Sequence, residues 1–346
     1  MTFTENILNW YRVHGRELPW RGTRDPYRIW LSEVILQQTR IAQGMDYWLR
    51  FVERWPTVHD LACASEDEVL RMWQGLGYYS RARNLHQAAQ QVDALGHFPD
   101  TLQGLRGLKG VGDYTASAIA SMAFGIDAAV VDGNVYRVLA RHYGIDTPIN
   151  TTQGKRLFTE LAQSLLPAGH AAEFNQGMMD FGAIQCTPQS PRCDACPLAD
   201  TCDALHTHRV DQLPVKLGKT AIKTRRLQYV YIRCQGQTAI HRRPAGDIWQ
   251  GLWEPLLIED QPLPQFEGKM TLLRQGVKHV LTHRILLADF WLLETDKRPT
   301  LPPDYIWVNE ADLDNYALPR LIEKLVTNVP SPQPPKGGAN KLKKTN

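Results

Sequence analysis

A change of hydrophobic periodicity near residue 227 constrains the fold of this chain more than any other feature of its sequence. Before it, apolar residues recur at helical spacing, as in residues 4–14 and 81–95. After it, segments such as 227–233 and 285–293 are rich in β-branched and aromatic residues and are separated by turn residues. A chain of 346 residues can form two domains with separate cores. The pattern therefore predicts a mainly α-helical domain followed by a smaller α/β domain.

The domain boundaries are predicted from composition. We expect the helical domain over residues 1–205, a basic linker that contains helix breakers over 206–226, and the second domain over 227–328. The tail over 329–346 is rich in proline, glycine and lysine, which predicts disorder. Its four lysines exceed the net charge of the whole chain, which is +3. Net charge therefore gives no indication of a nucleic-acid partner.

The sequence contains no apolar run long enough to span a membrane, and Met1 is not followed by a basic and then apolar signal segment. We therefore expect a cytoplasmic protein with no membrane partner. In that compartment cysteines rarely form disulfides. Cys63 and Cys234 lie in apolar contexts, and we expect both side chains to be buried.

The other cysteines are concentrated in one short segment with the spacing Cys-x6-Cys-x2-Cys-x5-Cys. Four thiolates can bind either zinc or an iron–sulfur cluster. Structural zinc sites usually combine two pairs of closely spaced ligands. This segment has only one such pair, which favours the cluster. The four candidate ligands are Cys186, Cys193, Cys196 and Cys202.

A glycine turn lies between two predicted helical segments. Gly110 and Gly112 flank Val111 and permit a tight turn that can approach another molecule closely. The backbone amides at the start of the following helix suit a phosphate oxygen. Asp132 follows, in the string Val-Val-Asp-Gly-Asn, where a nucleotide held by the turn could present its sugar.

This combination resembles the signature of the endonuclease III superfamily of DNA glycosylases, in which an aspartate follows a helix-hairpin-helix, here about residues 104–123. The resemblance implies that the glycine turn grips the DNA backbone. It also implies that the cysteine segment over 186–202 holds a [4Fe–4S] cluster, because the same spacing ends the helical domain of these relatives.

Two carboxyl groups are candidates for the chemistry. Breaking a purine N-glycosidic bond requires a proton on the base and stabilisation of positive charge on the sugar, which glycoside hydrolases divide between two carboxyl groups. Glu33 lies in an otherwise apolar predicted helix, a setting that can keep a carboxyl group protonated near neutral pH. Asp132 is the candidate for the ionised partner. A helix-capping role is the alternative for Asp132.

The string over residues 31–39, Leu-Ser-Glu-Val-Ile-Leu-Gln-Gln-Thr, resembles the catalytic helix of MutY-type adenine DNA glycosylases. The resemblance implies that Glu33 protonates N7 of adenine. It places Asp132 at the sugar, as electrostatic stabiliser or transient nucleophile, with Asn134 orienting it. Bifunctional relatives carry a lysine where this chain has Tyr114, so a monofunctional enzyme that leaves an abasic site is expected.

Further strings extend the resemblance to substrate contacts. The segment over 16–27 resembles the adenine pocket of the family, and the segment over 73–85 is the longest family-like string. The resemblance implies that an aromatic residue and a glycine-flanked leucine insert into the base stack when the adenine is flipped out. The residues implied in contacts with adenine, the opposite base or the stack are Arg16, Trp20, Gln176, Gln38, Thr39, Leu76 and Tyr78.

The second domain resembles the Nudix-like C-terminal domain of MutY-type proteins, with Gly251-Leu-Trp-Glu-Pro255 among the strings that carry the likeness. The acidic helix with which Nudix hydrolases hold magnesium is missing, which favours recognition over hydrolysis. A Phe-Ser-His loop of the family corresponds here to Leu281-Thr282-His283. The resemblance therefore implies that Thr282 reads 8-oxoguanine.

The expected protein is a monomeric adenine DNA glycosylase of base excision repair. Its expected substrate is double-stranded DNA in which adenine pairs with 8-oxoguanine or, less efficiently, with guanine. One alternative is a glycosylase for another mismatch, such as thymine opposite guanine, on the same helical scaffold. A second alternative, from another class, is a DNA-binding or redox-sensing iron–sulfur protein without catalysis.

Overall fold

The computed structural model describes residues 1–218 and 222–330. The chain divides into two compact units. The first unit comprises Met1–Met72 and Ser80–Lys219, and the second comprises Trp73–Tyr79 and Thr220–Asn346. The predicted architecture, a helical unit and a smaller unit of mixed strands and helix, is confirmed.

The first unit is built from α-helices that begin where the sequence provides caps. At the amino terminus, Thr2 and Glu5 form a reciprocal capping box, and Asp25 caps the helix that starts at Pro26. The helices are α1 (Phe3–His14), α2 (Pro26–Leu36), α3 (Ile41–Arg54), α4 (Val58–Cys63), α5 (Glu66–Met72), α6 (Ser80–Leu95), α7 (Leu102–Arg106), α8 (Asp113–Phe124), α9 (Gly133–Tyr143), α10 (Thr152–Leu165), α11 (Ala171–Asp180) and α12 (Asp203–His206).

The turn between α7 and α8 requires glycine at position 110 for two reasons. Gly110 has φ +75°, in the left-handed region that favours glycine. A Cβ atom at Gly110 would lie 2.7 Å from Cβ of Asn84, closer than packed carbon atoms approach. Gly112 precedes α8 in an extended conformation and serves as its N-cap. The turn that leads into α8 therefore packs closely against Asn84 of α6.

One hydrophobic core of the first unit gathers α1, α9, α10 and α11. Ile7, Leu139 and Phe158 are fully buried in it, and Phe174 and Phe181 are nearly so. A single π-helical turn, Phe181–Gln185, continues α11 and ends beside Cys186. This packing brings the start of α9, where Asp132 lies, close to the chain that leads into the cysteine segment.

The second unit contains two sheets and a helix. The elements of this unit are β1 (Lys223–Arg233), β2 (Gln237–Arg242), β3 (Trp253–Glu254), β4 (Leu256–Ile258), β5 (Lys269–Val280), β6 (Arg284–Glu294), β7 (Tyr305–Asn309) and α13 (Arg320–Val326). The four-stranded sheet has the order β4-β1-β6-β5, in which β1 runs parallel to β6 and the other neighbours are antiparallel. The three-stranded sheet has the antiparallel order β3-β2-β7.

A core of the second unit lies between α13 and the larger sheet. Leu321 and Ile322 of α13 join Leu286, Ala288 and Phe290 of β6 in one buried cluster. On β6 these three residues alternate along the strand, as expected for a strand with one face toward a core. The helix therefore covers one face of this sheet.

Over residues 206–218 and 222–226, the segment predicted as a linker is held within one unit or the other. Leu213 is buried in the first unit, and the carbonyl of Val215 accepts a hydrogen bond from the amide of Ile149 (3.0 Å). β1 already begins at Lys223. The basic composition of this segment did not indicate that the side chains of Leu213 and Val215 pack against the core of the first unit. The predicted disordered tail lies, from residue 331 onward, outside the described residues.

The prediction for the two isolated cysteines is correct for one of them only. Cys234 is buried, whereas Cys63 is exposed at the end of α4. Leu61 and Ala62 are the residues of this short helix that face the core, so apolar neighbours in sequence did not imply burial of Cys63. Within the ranges that the structure describes, none of the helices combines the length and the apolar character needed to cross a membrane.

Candidate active site

One cavity in the first unit collects nine of the twelve residues predicted to act in catalysis or in substrate binding. Its volume is about 840 Å³, and it lies among the carboxyl end of α2 and the amino ends of α8 and α9, with α11 alongside. The predicted residues that line it are Arg16, Trp20, Glu33, Gln38, Thr39, Tyr114, Asp132, Asn134 and Gln176. Residues from distant parts of the sequence thus meet at one opening.

Glu33 lines this cavity from a largely buried helix. It lies on α2, whose residues from Tyr27 to Ile35 are almost all buried, and it is itself only 9% exposed. Burial raises the pKa of Glu33 to about 7, and the nearby charge of Asp132 adds to the rise. A hydrogen bond from the Tyr114 hydroxyl and the charge of Arg21 act in the opposite direction. Glu33 can therefore carry a proton near neutral pH.

Tyr114 is the second residue of α8 and points into the same cavity. Burial, together with the negative charge of Glu33 and Asp132, raises the pKa of its phenol well above the usual value. The hydroxyl therefore remains a neutral donor, and it also lies 3.7 Å from Sδ of Met179. At this position the chain presents a hydrogen-bond donor and no amine nucleophile.

Asp132 is held by the first turn of α9, for which it is the N-cap. Its Oδ1 accepts hydrogen bonds from the amides of Asn134 (2.9 Å) and Val135 (2.8 Å), and its Oδ2 accepts one from Nδ2 of Asn134 (2.7 Å). Burial raises the pKa of Asp132, and these hydrogen bonds limit the rise because they stabilise the carboxylate. The capping role predicted as an alternative is therefore present, and it also fixes the carboxylate at the cavity.

Arg137 connects this carboxylate to the cysteine segment. Its Nη2 donates to Oδ1 of Asn134 (2.8 Å) and to the carbonyl of Gly182 (2.6 Å), while Nε donates to the carbonyl of Cys186 (2.7 Å). The side chain is buried, so each of these acceptors depends on it. Sequence reasoning missed Arg137; an arginine one turn after Asn134 on a helix with a strong apolar face was the available signal.

Asp180 organises the basic side of the cavity and was also missed. Its side chain is fully buried and accepts hydrogen bonds from Nε of Arg16 (2.8 Å) and from Nη1 and Nη2 of Arg21 (2.7 and 2.8 Å). Burial alone would raise the pKa of Asp180, but the two guanidinium groups hold it below the usual value. The signal was an aspartate within the apolar stretch Met178–Gly182 of a predicted helix.

The other cavity residues offer polar edges and one aromatic surface. The hydroxyl of Tyr11 donates to Oε1 of Gln176 (2.6 Å), which fixes the orientation of that amide. Trp20 is nearly buried and packs against Trp48, with ring centroids 5.4 Å apart. Gln38 has φ +57°, an uncommon conformation for a residue with a side chain. Such uncommon backbone conformations are concentrated at ligand-binding and active sites.

Some predicted residues do not line this cavity. Gly110, Val111 and Gly112 form the turn that precedes α8, and Gly112 is exposed. Leu76, Tyr78 and Thr282 belong to the second unit. There Leu76 is buried, whereas Tyr78 is 46% exposed and its hydroxyl is hydrogen-bonded to the hydroxyl of Thr282. Of the two residues expected to enter a base stack, Tyr78 is the one that presents its side chain at the surface.

The four cysteines of the predicted cluster line a single small cavity of about 30 Å³. Nη1 of Arg141 lies 3.4 Å from Sγ of Cys186, and Sγ of Cys202 lies 3.6 Å from the carbonyl of Arg141. Among residues 1–218 and 222–330, no three histidine, cysteine or acidic side chains converge closely enough to hold one metal ion. Four thiol groups around one space are a donor set that fits an iron–sulfur cluster.

Comparison with protein families gives three matches. Residues 31–164 match the HhH-GPD superfamily of base excision DNA repair proteins, residues 186–202 the iron–sulfur binding domain of endonuclease III, and residues 228–328 the NUDIX domain. These matches confirm the predicted helix-hairpin-helix glycosylase fold and the Nudix-like second domain. They also confirm the cofactor: the segment over 186–202 binds a [4Fe–4S] cluster. When bound, the cluster cross-links the cysteines and fixes a segment that has little regular structure of its own.

Individual proteins agree with the family matches. The chain is 31% identical over 347 residues to the adenine DNA glycosylase of Buchnera aphidicola subsp. Baizongia pistaciae, with 95% of this chain and 97% of the relative covered. It is 43% identical over 232 residues to the mouse adenine DNA glycosylase, with 64% of this chain and 45% of the relative covered. A solved thermostable thymine-DNA glycosylase superposes with a TM-score of 0.55 at 33% identity, with 59% of this chain and 95% of that chain covered.

Proposed function

Since the chain belongs to the adenine DNA glycosylase family, we propose that it removes adenine paired with 8-oxoguanine and, less efficiently, adenine paired with guanine. The enzyme is a DNA N-glycosylase of base excision repair, and its substrate is DNA. We also propose that the protein is a monomer and is located in the cytoplasm. These two statements and the preference for the two base pairs are proposals that membership of the family does not establish.

The observation that carries the proposal is the pair of carboxyl groups at one cavity. Glu33, with its pKa raised to about 7, is the general acid that protonates N7 of the extruded adenine and makes the base a better leaving group. Asp132, with three hydrogen-bond donors on its carboxylate, faces the positive charge that develops on the sugar. Asn134 is the residue that orients Asp132.

We expect base release without strand cleavage because the residue beside Glu33 is Tyr114. A Schiff base with the sugar requires an amine at the reacting carbon. Tyr114 supplies a neutral hydroxyl at this position, and its hydrogen bond to Glu33 fixes the acid in place. Water then attacks the sugar cation and loses a proton, and the product is an abasic site.

The base pocket that we propose is formed by other residues that line the same cavity. Arg16 and Trp20 line it, and Gln176 presents an oriented amide that can recognise the polar edge of adenine. Gln38 and Thr39, on the segment that follows α2, also line the cavity, and in this proposal they contact the base opposite. Extrusion of a base costs a few kcal/mol, which contacts with the phosphates and the stack must offset.

Two further surfaces contribute to DNA binding in this proposal. The turn of Gly110, Val111 and Gly112 leads into the amino end of α8, where backbone amides attract a phosphate oxygen. In the second unit, the hydrogen bond between Tyr78 and Thr282 places an exposed aromatic ring beside an exposed hydroxyl. This pair supports a role for Thr282 in reading 8-oxoguanine and for Tyr78 in stacking.

The test is base release from a panel of duplexes that differ only in one pair. Adenine opposite 8-oxoguanine, guanine, cytosine and thymine is compared with thymine opposite guanine, and abasic sites are cleaved with hot alkali. We expect release from the first two duplexes, and intact strands when the alkali step is omitted. Equal release from all adenine pairs would contradict the proposed lesion preference, and cleavage without alkali would contradict the role of Tyr114.

The acid is tested in the same assay. Glu33→Gln should bind the mispaired duplex and lose base release by about 100- to 10,000-fold, the usual contribution of a general acid. Glu53→Gln removes the charge of an exposed glutamate on α3 and is the matched control. Normal turnover by Glu33→Gln would refute the assignment.

One observation favours a second substrate. The likeness to a thymine-DNA glycosylase, at 33% identity over 59% of this chain, makes thymine opposite guanine the competing pair. Release of thymine but not adenine in the panel would establish that alternative. Binding without release from any duplex would establish a non-catalytic DNA-binding protein.

A further inference from the structure

One side chain from another helix holds the amide of Gln176 at the cavity of Glu33. The hydroxyl of Tyr11 donates a hydrogen bond to Oε1 of Gln176 at 2.6 Å. Tyr11 lies on α1 and Gln176 on α11, two helices that pack against each other. Gln176 lines the cavity, whereas Tyr11 is not among the described residues that line it. Within the described ranges no other hydrogen bond engages this amide, so its Nε2 remains available to a ligand.

The position of the Tyr11 ring is fixed by its surroundings. A Cβ atom at Gly15 would lie 2.6 Å from Cε2 of this ring, and a Cβ atom at Gly177 would lie 3.1 Å from Cβ of Tyr11. Both glycines therefore leave the space that the tyrosine fills. The guanidinium carbon of Arg21 lies 5.8 Å from the ring centroid. Burial raises the pKa of the Tyr11 phenol, so the hydroxyl keeps its proton near neutral pH and remains a donor.

A fixed donor decides which end of an amide lies beside it. The carbonyl oxygen of an amide accepts hydrogen bonds, whereas its NH2 group donates them. A phenol is a good donor and a weak acceptor, so the oxygen end of Gln176 is favoured beside Tyr11. Oε1 has a second lone pair and Nε2 has two hydrogens. The amide can therefore offer the base one acceptor and one donor in a set order.

The two classes of base require opposite orders. Adenine carries an amino donor at C6 beside a ring nitrogen that accepts, and a glutamine amide can bind both atoms at once. In that pairing the amide oxygen takes the amino hydrogen and the amide nitrogen donates to the ring. Guanine and hypoxanthine instead carry a carbonyl acceptor at C6 beside an N1–H donor, and thymine has the same order at C4 and N3. Such bases require the amide to be turned end for end.

We propose that Tyr11 is a positioning residue that determines specificity: it fixes the oxygen end of Gln176 and so selects adenine over bases that carry a carbonyl group in place of the amino group. This inference rests on the proposed base pocket, in which Gln176 meets the extruded base. Tyr11 acts through Gln176 and does not itself contact the substrate. A hydroxyl that served only the packing of α1 on α11 would affect the release of both classes of base equally.

The experiment measures single-turnover base release from two duplexes that differ in one base. Adenine or hypoxanthine is placed opposite guanine, and the full chain is used in excess with its iron–sulfur cluster bound. Hypoxanthine differs from adenine only in the C6 carbonyl group and the hydrogen on N1. The ratio of the two rates is compared between proteins, so the difference in duplex stability cancels. The ratio comes from one preparation of each variant, so it does not depend on the folded fraction.

Tyr11→Phe keeps the ring and deletes the donor. The ratio of adenine to hypoxanthine release should fall about five- to tenfold, the contribution expected of one hydrogen bond. Tyr143→Phe is the matched control, because it also removes a phenol hydroxyl from a ring packed against α1, with 5.6 Å between its centroid and that of Phe3. Its ratio should equal that of the original protein.

A double substitution tests whether Tyr11 acts through the amide. Gln176→Met keeps the length of the side chain and removes both polar ends. If Tyr11 only orients that amide, Tyr11→Phe should leave the ratio unchanged when it is added to Gln176→Met. A structural role of Tyr11 predicts instead that the second substitution slows release in both backgrounds.

Three results would overturn the proposal. The first is a ratio in Tyr11→Phe that matches the original protein, whether both rates are unchanged or both fall by one factor. The second is hypoxanthine release that stays below detection in both proteins. The third is an equal fall of the ratio in the Gln176→Met background. The panel described for the proposed function varies the opposite base, whereas this pair of duplexes varies the excised base, so either proposal can fail alone.

Discussion

Removal of one hydroxyl group should shift the pH dependence of base release. Tyr114 donates a hydrogen bond to Glu33, and this bond stabilises the carboxylate more than the protonated acid. Tyr114→Phe keeps the ring and deletes the donor. The pKa of Glu33 should therefore rise, and the protonated form that gives the base its proton should persist at higher pH.

The size of the shift can be worked out from the hydrogen bond. A hydrogen bond to a charged group contributes about 1.5–3 kcal/mol, and one pH unit corresponds to about 1.4 kcal/mol. Because Glu33 is only 9% exposed, water cannot replace the lost donor fully. We expect the rate of the original protein to fall as pH rises through about 7. In Tyr114→Phe the same fall should lie about one to two pH units higher.

The assay is single-turnover base release from duplex with adenine opposite guanine, measured across the pH range with enzyme in excess. Tyr136→Phe is the matched control, because it also removes a phenol hydroxyl from the lining of the same cavity but Tyr136 is not among the groups that shift the pKa of Glu33. A descending limb that stays in place in Tyr114→Phe, or moves to lower pH, would refute the assignment of Glu33 as the proton donor.

Four other substitutions or treatments test the remaining parts of the site. Asp132→Asn should slow base release about 100- to 1,000-fold yet retain the helix cap, whereas Asp132→Ala should also lose about 1 kcal/mol in urea unfolding. Arg137→Met should lower the free energy of unfolding by about 3 kcal/mol because buried carbonyl groups lose their donor, and urea titration measures it. Thr282→Ala should keep release from adenine–guanine pairs and weaken the preference for 8-oxoguanine about fivefold, as competition between the two duplexes would reveal. Removal of the cluster, or Cys196→Ser, should make the chain around residues 186–202 sensitive to protease; equal digestion with and without the cluster would contradict a fixing role.

The parts of the fold that the sequence predicted are those that depend on neighbouring residues. The helices begin at caps that can be recognised locally: Ser65 and Glu68, for example, have the spacing of a capping box and form one, with Glu68 accepting from the Ser65 amide at 3.0 Å. The change to strands near residue 227 is likewise a local property, and β1 begins close to it, at Lys223.

The parts that the sequence could not predict depend on contacts between distant residues. Asp180 meets Arg16 across 164 positions, and nothing near either residue indicates the other. Arg137 reaches the carbonyl of Cys186 across 49 positions. Glu33 and Asp132 could be paired in advance only because the resemblance to a family linked them. Spacing and periodicity alone leave such pairings open.

The burial of Asp180 between two arginines lowers the net positive charge beside the cavity. The trio of Arg16, Arg21 and Asp180 carries one net positive charge, because a single carboxylate balances one of the two guanidinium groups. Without the Asp180 carboxylate, the guanidinium groups of Arg16 and Arg21 would lie side by side and repel each other. Their positive charge would then be available to an anion in the cavity. The proposed base pocket would then attract anions more strongly, so Asp180, which is not among the lining residues, favours an uncharged base over an anion in this proposal.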